Sequence, residues 1–240
     1  AYENGQTVQS YGGGVCQVST TLYNAVLKAE LEVTQRSNHS MIVTYVKPSM
    51  DAAIAGDYKD LKFVNNLDAP IYIEGYTVGK DIYFNIYGQE TRPSNRKVTY
   101  ESEVVSEEDP GTQFVATGDA VGSISTTQGK HMGYVARLWK IVTVDGVEQS
   151  RDAINKSTYK SSPKIVNVGT ASADPNATAA VNAALATGDE ATIYATVAQY
   201  SGAGQTPAET PAETPADGSA EAAAILGTVD ESQITENTTT

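Results

Sequence analysis

Three consecutive glycines, Gly12, Gly13 and Gly14, run almost directly into the chain's single cysteine, Cys16, and from there into a helix-like pattern. No other stretch constrains the fold as much, because glycine costs stability in helices and strands alike and needs a reason to recur. A glycine run lets the backbone take positive φ and come close to a ligand. A helix start offers unpaired N–H groups and the positive end of a dipole. From Ser19 onward Leu22, Ala25, Val26 and Ala29 recur at three- and four-residue spacing, with Lys28 and Glu30 off that stripe. The spacing predicts a helix of roughly 12–15 residues beginning near Cys16 or Gln17, whose apolar stripe fixes it, and with it the cysteine, against a sheet.

Downstream the period changes. Met41, Val43 and Tyr45 alternate with Ile42, Thr44 and Val46 until Pro48, which reads as a strand. Leu61–Val64 is a further strand, and residues 71–76 and 82–87 form a hairpin with its turn near 78–81. Residues 1–90 are therefore expected to fold as an α+β domain, one N-terminal helix packed on an antiparallel sheet. Residues 91–112 read as a polar connection with a strand-like stretch at 97–105. Residues 113–170 read as a small all-β module, with Asp145-Gly146 as its strongest hairpin signal. Residues 171–200 are Ala-rich with helical pattern at 179–186 and 191–200. The repeated Pro-Ala-Glu-Thr unit within 201–240 is too poor in bulky apolar residues to pack, so a disordered tail is expected there.

Charge follows the same division. Of the formal net charge of −13, residues 171–240 hold −10, with ten acids and no Lys or Arg. The first 170 residues are nearly balanced and have no basic cluster to neutralise phosphates, which argues against nucleic acid as a partner. One cysteine excludes an intramolecular disulfide, and with only His39 and His131 beside it a closed zinc site is not expected; no cofactor is called for. No run of about 18 apolar residues is present, so no membrane span is expected. The chain starts at Ala1 without an initiating Met and directly before the motif, and it is read as a fragment.

A cysteine is a nucleophile when its thiolate is populated, and a helix N-terminus or a neighbouring imidazolium favours that state. Cys16 has the first by position. His39, one helix and a turn later in Arg36-Ser37-Asn38-His39-Ser40, is the candidate for the second. The backbone N–H groups of Cys16 and Gln17, beside Gly14, are candidate oxyanion donors, each typically worth roughly 3–4 kcal/mol in a transition state. The ordinary role of a lone helical cysteine is a small buried hydrophobe, and a histidine in a polar run is as readily a turn residue. The glycines do not make a phosphate loop, since no Gly-Lys-Ser/Thr follows. The tyrosines of 72–87 suit cross-strand packing as well as a carbohydrate-stacking face.

The block from Tyr11 to Ala25, followed by Arg36-Ser37-Asn38-His39-Ser40, Tyr45-Val46-Lys47-Pro48, Asp51-Ala52, Asp60–Asn66 and Pro70–Ile73, resembles the VanW-like family of Gram-positive surface proteins. Many members have a glycine where this chain has Glu30. Residues 97–170, ending Ile165–Thr170, resemble the five-glycine surface module that often follows such domains. The resemblance implies an extracytoplasmic, cell-wall location, an association with glycopeptide resistance, and L,D-transpeptidase activity with a cysteine nucleophile. On this chain Cys16 would attack the third residue of a peptidoglycan stem peptide, form a thioester and pass the stem to a neighbouring amine as a 3–3 cross-link. His39 would be the base, Asp51 or Asn38 its orienting group, and Arg36 a partner for a stem carboxylate. Gly14, Gln17, Ser19 and Ser40 would complete the oxyanion and substrate-binding set. A peptidase or amidase that resolves the same thioester with water is the alternative enzyme, and a non-catalytic wall-binding module the alternative without chemistry. Oligomeric state is left open.

Overall fold

In the computed structural model the described residues are 2–3, 6–7 and 14–202. Gly12, Gly13 and most of the 201–240 tail therefore lie outside them. A short antiparallel pair, β1 (Tyr2–Glu3) and β2 (Gln6–Thr7), precedes the helix α1 (Val15–Lys28). β3 (Glu32–Gln35) pairs with β4 (Lys62–Val64), and β5 (Tyr72–Val78) with β6 (Asp81–Tyr87). Six further strands follow: β7 (Arg96–Glu108), β8 (Thr112–Ala120), β9 (Ile124–Gln128), β10 (Gly133–Val144), β11 (Val147–Tyr159) and β12 (Lys164–Ala171). The helices α2 (Pro175–Thr187) and α3 (Glu190–Tyr200) close the described chain. The architecture is mostly β with three helices among the described residues: α1 is the helix expected in residues 1–90, and α2 and α3 fall on the Ala-rich segment.

The helix starting at Val15 and the hairpin of β5 and β6 stand where their periodicity puts them. The hairpin between β10 and β11 turns on Asp145 and Gly146, at φ 52° and 79°, the two positive angles a two-residue primed turn requires. The buried face of α1 is rotated from the predicted apolar stripe. It consists of Ser19, Thr20, Tyr23, Val26 and Leu27, while Leu22, Ala25 and Ala29 are half-buried. Polar Ser, Thr and Tyr face inward because their hydroxyls have partners there, which a hydrophobicity pattern does not register.

At its far end α1 closes in a Schellman motif. Glu30 N–H donates to Leu27 O at 2.9 Å and Leu31 N–H to Val26 O at 3.1 Å, with Glu30 at φ 55°. Glycine is the usual residue at such a left-handed position. Glu30 stands there with its carboxylate on Arg96 of β7, Lys140 of β10 at 2.6 Å, and Arg92 at 3.3 Å.

One strand expectation is corrected. Residues 41–46, expected as a strand, are irregular, as is all of 36–54. Alternation makes a strand only where another strand completes the ladder, and the backbone here bonds elsewhere: Ser40 O accepts Lys160 N–H at 2.7 Å, and Pro48 O accepts the Ser102 hydroxyl at 2.6 Å. The strand-like stretch expected at 97–105 is present as β7, which extends it to Arg96–Glu108 and pairs antiparallel with β10 over its whole length.

The strands from β7 onward make two three-stranded sheets, ordered β11-β10-β7 and β8-β12-β9. β12 runs parallel to β8 and antiparallel to β9. The Ala-rich segment folds as α2 and α3 on the second of these sheets. Val181, Ala184, Ile193 and Val197 bury against Val166 and Val168 of β12. Asp174 and Asp189 cap the two helices by accepting Asn176 N–H and Thr192 N–H, and Gly188 ends α2 at φ 67°.

The other core lies between α1 and the β11-β10-β7 sheet. Tyr23 and Leu27 of α1, Ala52 from the irregular segment and Leu138 of β10 are its buried members, with Met50, Val33, Leu61 and Tyr100 packed around them. The helix and the irregular segment are thus held against strands that follow them in the chain by more than forty residues.

Candidate active site

The site is assembled from the first turn of α1 and the irregular segment 36–54. Gly14 is the N-cap, in ordinary right-handed geometry (φ −93°) and without a side-chain cap. The first intrahelical bond at this end runs from Val18 N–H to Gly14 O, at 3.0 Å, so the N–H groups of Cys16 and Gln17 precede the helical ladder. No acidic side chain lies in the first turn to occupy the dipole end. Among the described residues, a Cβ on Gly14 would meet nothing within 4 Å. At this glycine, then, the backbone does not need positive φ, and among the described residues the space at the N-cap is open.

Cys16 is half-buried in the second helical position, and its thiol donates to Ile54 O at 3.5 Å. Ser19 and Thr20 tie the same stretch to the helix. The Ser19 hydroxyl reaches Ala52 O at 2.5 Å, and Thr20 Oγ1 accepts Ala52 N–H at 3.0 Å. Asn24 adds a bond to Met50 O at 2.9 Å. These contacts fix where Asp51 and Ile54 lie relative to Cys16.

Asp51 is fully buried and has a complete set of partners. Its Oδ2 lies 2.7 Å from His39 Nδ1 and also accepts the His39 backbone N–H at 2.7 Å. Its Oδ1 accepts Arg36 Nη2 at 2.7 Å and the Tyr159 hydroxyl at 2.5 Å. Burial alone would raise its pKa, but His39, Arg36 and Tyr159 outweigh that and hold the carboxyl below its usual range. An ionised Asp51 on Nδ1 directs the other ring nitrogen, Nε2, outward as the acceptor. There Nε2 meets the Tyr45 hydroxyl at 3.3 Å, with the two rings edge to face.

Tyr45 links this pair to the helix. Its hydroxyl also bonds the Thr20 side chain, one helical turn beyond Cys16. Burial pushes its pKa up to about 12, so it remains an O–H donor at neutral pH. Lys59 stands at the same place, donating to Asn38 O at 2.8 Å and Ser40 Oγ at 3.2 Å. Burial lowers its pKa, while the charges of Asp51 and Cys16 act against that. Among the described residues the thiol and the imidazole make no direct hydrogen bond; each bonds a neighbour, Ile54 O and Tyr45 respectively.

The structure gathers Cys16, His39 and Asp51 in one cluster and gives the remaining expected residues different surroundings. Arg36 is only 7% exposed, with Nε on Asp51 O at 2.6 Å, Nη1 on Ser157 Oγ at 2.8 Å and its cation over the Tyr23 ring. Its fork is spent inside the protein, not presented to a ligand carboxylate. Ser19 is buried and bonded to Ala52, and Asn38 donates to His39 O and Thr158 O rather than to the imidazole. Ser40 is exposed beside Lys59, and Gln17 is exposed on the first turn of α1. Tyr45, Lys59 and Tyr159 were missed by sequence reasoning. Tyr45 falls in a quoted motif, but nothing local marks Lys59 or Tyr159. Among the described residues no group of three or more His, Cys, Asp or Glu is placed to hold a metal ion, and no helix is long and apolar enough to cross a membrane.

Fold and site together define a two-part protein: a thiol at a helix start without a side-chain cap, near a half-buried imidazole on a buried carboxylate, backed by a β-rich module. Residues 1–87 match the family model described as VanW like protein, and residues 90–171 match that of the G5 domain, so the chain carries a VanW-like domain followed by a G5 domain. It is similar to Uncharacterized protein YoaR of Bacillus subtilis (strain 168), at 37% identity over 86 residues. That stretch is 36% of this chain and 28% of the relative, so the match spans less than a third of the relative's length. Among solved structures it is similar to an IgA1 protease G5 domain, with 26% identity, a TM-score of 0.24, and coverage of 32% of this chain and 94% of the other. HP0197-G5 matches at 20% identity with a TM-score of 0.17, covering 30% and 99%.

Proposed function

We propose that this chain acts at the bacterial cell wall as a cysteine-dependent L,D-transpeptidase. A VanW-like domain joined to a G5 domain suggests a cell-wall-related, extracytoplasmic role. The observation that carries the catalytic reading is the His39–Asp51 pair at 2.7 Å beside a cysteine at an uncapped helix start.

In the proposed reaction the Cys16 proton passes to the Tyr45 oxygen as the Tyr45 proton moves to His39 Nε2, leaving a thiolate and an imidazolium paired with Asp51. Sγ then bonds to the carbonyl carbon of the third stem-peptide residue. The oxyanion that forms lies against the Cys16 and Gln17 N–H groups at the positive end of α1. Collapse breaks the C–N bond, and the terminal D-alanine amine leaves with the proton from His39. An amine from a neighbouring stem attacks the thioester, gives its proton to His39 and expels the Cys16 thiolate, which completes a 3–3 cross-link. Lys59 stabilises the thiolate by its charge. The stem is taken to enter at the Gly14 N-cap.

The test is analysis of muropeptides made by the protein with Cys16 intact and with Cys16→Ala. The reading expects 3–3 dimers from the first and none from the second. Dimers from the Cys16→Ala variant would overturn the nucleophile assignment, and shortened stems without dimers would make the protein a hydrolase.

A further inference from the structure

The loop that carries His39 and Asp51 has no regular structure of its own, and residues of the second module hold it along its length. Ser40 O accepts Lys160 N–H, just beyond β11, and Pro48 O accepts Ser102 Oγ of β7. Ser49 is fully buried in the left-handed region at φ 66°, a conformation that costs a non-glycine residue and persists only where the surroundings over-determine it. Both of its backbone polar groups are met from β11: its N–H donates to the Tyr159 oxygen at 2.7 Å, and its O accepts Asn155 Nδ2 at 3.1 Å. Two residues on, the Tyr159 hydroxyl donates to Asp51 Oδ1, and Ser157 holds Arg36, the other partner of that oxygen.

We propose that the second module is a working part of the candidate site, with Tyr159 and Ser157 as positioning residues that set the Asp51 carboxylate and, through it, the imidazole of His39. The inference rests on the reading of Cys16, His39 and Asp51 as one catalytic set. Tyr159 is 2% exposed and one oxygen atom of its hydroxyl spans the turn, joining Ser49 N to Asp51 Oδ1. Ser157 is 1% exposed, and its hydroxyl oxygen accepts Arg36 Nη1 at 2.8 Å. A VanW-like domain with this loop therefore obtains part of its acid–base geometry from a neighbouring module. The titratable groups facing Asp51 are His39, Arg36, Tyr45 and Lys59 from the loop side, Tyr23 from α1, and Tyr159 from β11.

The test uses the full chain with labelled histidine and follows the His39 Nδ1–H proton resonance from neutral to acid pH. Tyr159→Phe keeps the buried ring and removes only the hydroxyl, and Lys156→Ala, an exposed neighbour on β11, is the control. With one donor to Asp51 gone, the carboxylate protonates more easily, so the resonance should collapse at higher pH than in the unmodified protein, with Lys156→Ala unchanged. Superimposable profiles for Tyr159→Phe and the unmodified protein would overturn the proposal. Should Tyr159→Phe fail to fold, Ser157→Ala is judged by the same curve, which should move in the same direction; no movement overturns the proposal. Because this readout needs no turnover, absence of cross-linking by the unmodified protein would sink the transpeptidase reading while leaving the positioning role to be decided by the resonance.

Discussion

One oxygen of Asp51, Oδ2, holds His39 twice, by its ring Nδ1 and by its backbone N–H, both at 2.7 Å. The double contact fixes the ring and the chain that carries it, so the imidazole cannot turn without disturbing the loop. Asp51→Asn removes the charge that balances Arg36, a guanidinium only 7% exposed. Breaking one side of a buried pair typically costs roughly 3–5 kcal/mol. Denaturant unfolding should show a loss of that order, and alkylation of Cys16 should slow. A loss under about 1 kcal/mol would mean that the carboxylate does not balance Arg36.

Tyr45→Phe separates the relay from the fold. The ring keeps its place while Nε2 loses its 3.3 Å partner. Cross-linking is expected to fall about 100-fold or more, the range for loss of a general acid–base group. The thermal midpoint should move little. Unchanged turnover would remove Tyr45 from the proton path and leave direct transfer between thiol and imidazole.

Gly14→Ala is predicted to be nearly silent in stability, because its φ of −93° suits any residue and the added Cβ meets nothing within 4 Å among the described residues. Exchange at an N-cap position without a side-chain cap costs about 1 kcal/mol or less. Cross-linking should nevertheless drop if the open space admits the stem. Full activity in a normally folded variant would show that substrate does not pass there.

Acid sensitivity follows from Glu30. The hydrogen bond from Arg96, with Lys140 and Arg92 beside it and against the effect of burial, lowers its pKa from 4.5 to about 2. A depressed carboxylate pKa means stability that is fully present above 4.5 and is lost as pH falls towards 2. Asp51, also held below its usual range, acts in the same direction. Glu30→Gln lacks this contribution at every pH, so its thermal midpoint should lie below that of the unmodified protein at pH 6 and converge with it towards pH 2.5. A gap that stays constant with pH would assign the difference to something other than charge.

Local pattern was enough for the elements whose stability is local. The helix at Cys16 was legible because apolar residues recur at helical spacing, and the Asp145-Gly146 hairpin because few residues accept two positive φ values in succession. The pattern misled where a hydrogen-bond partner lies far along the chain. Residues 41–46 alternate like a strand, yet the surrounding loop gives backbone bonds to Ser102 and Lys160. Ser19, Thr20 and Tyr23 look polar, yet they form the buried face of α1. Arg36 reads as a free cation until Asp51 and Ser157 enclose it.

By itself the sequence determined that a single thiol follows a glycine run at a helix start, that His39 and Asp51 come soon after, and that a β-rich module succeeds them. Those facts are set by residue type and short-range spacing, which the chain carries wherever it folds. Only the tertiary structure decided that Asp51, not Asn38, orients His39, that Tyr45 occupies Nε2, and that Tyr159, 108 residues beyond Asp51, completes the carboxylate's partners. The reason is physical: a buried charge must be satisfied by whatever donors the packed chain brings within about 3 Å, and separation along the sequence does not enter that requirement.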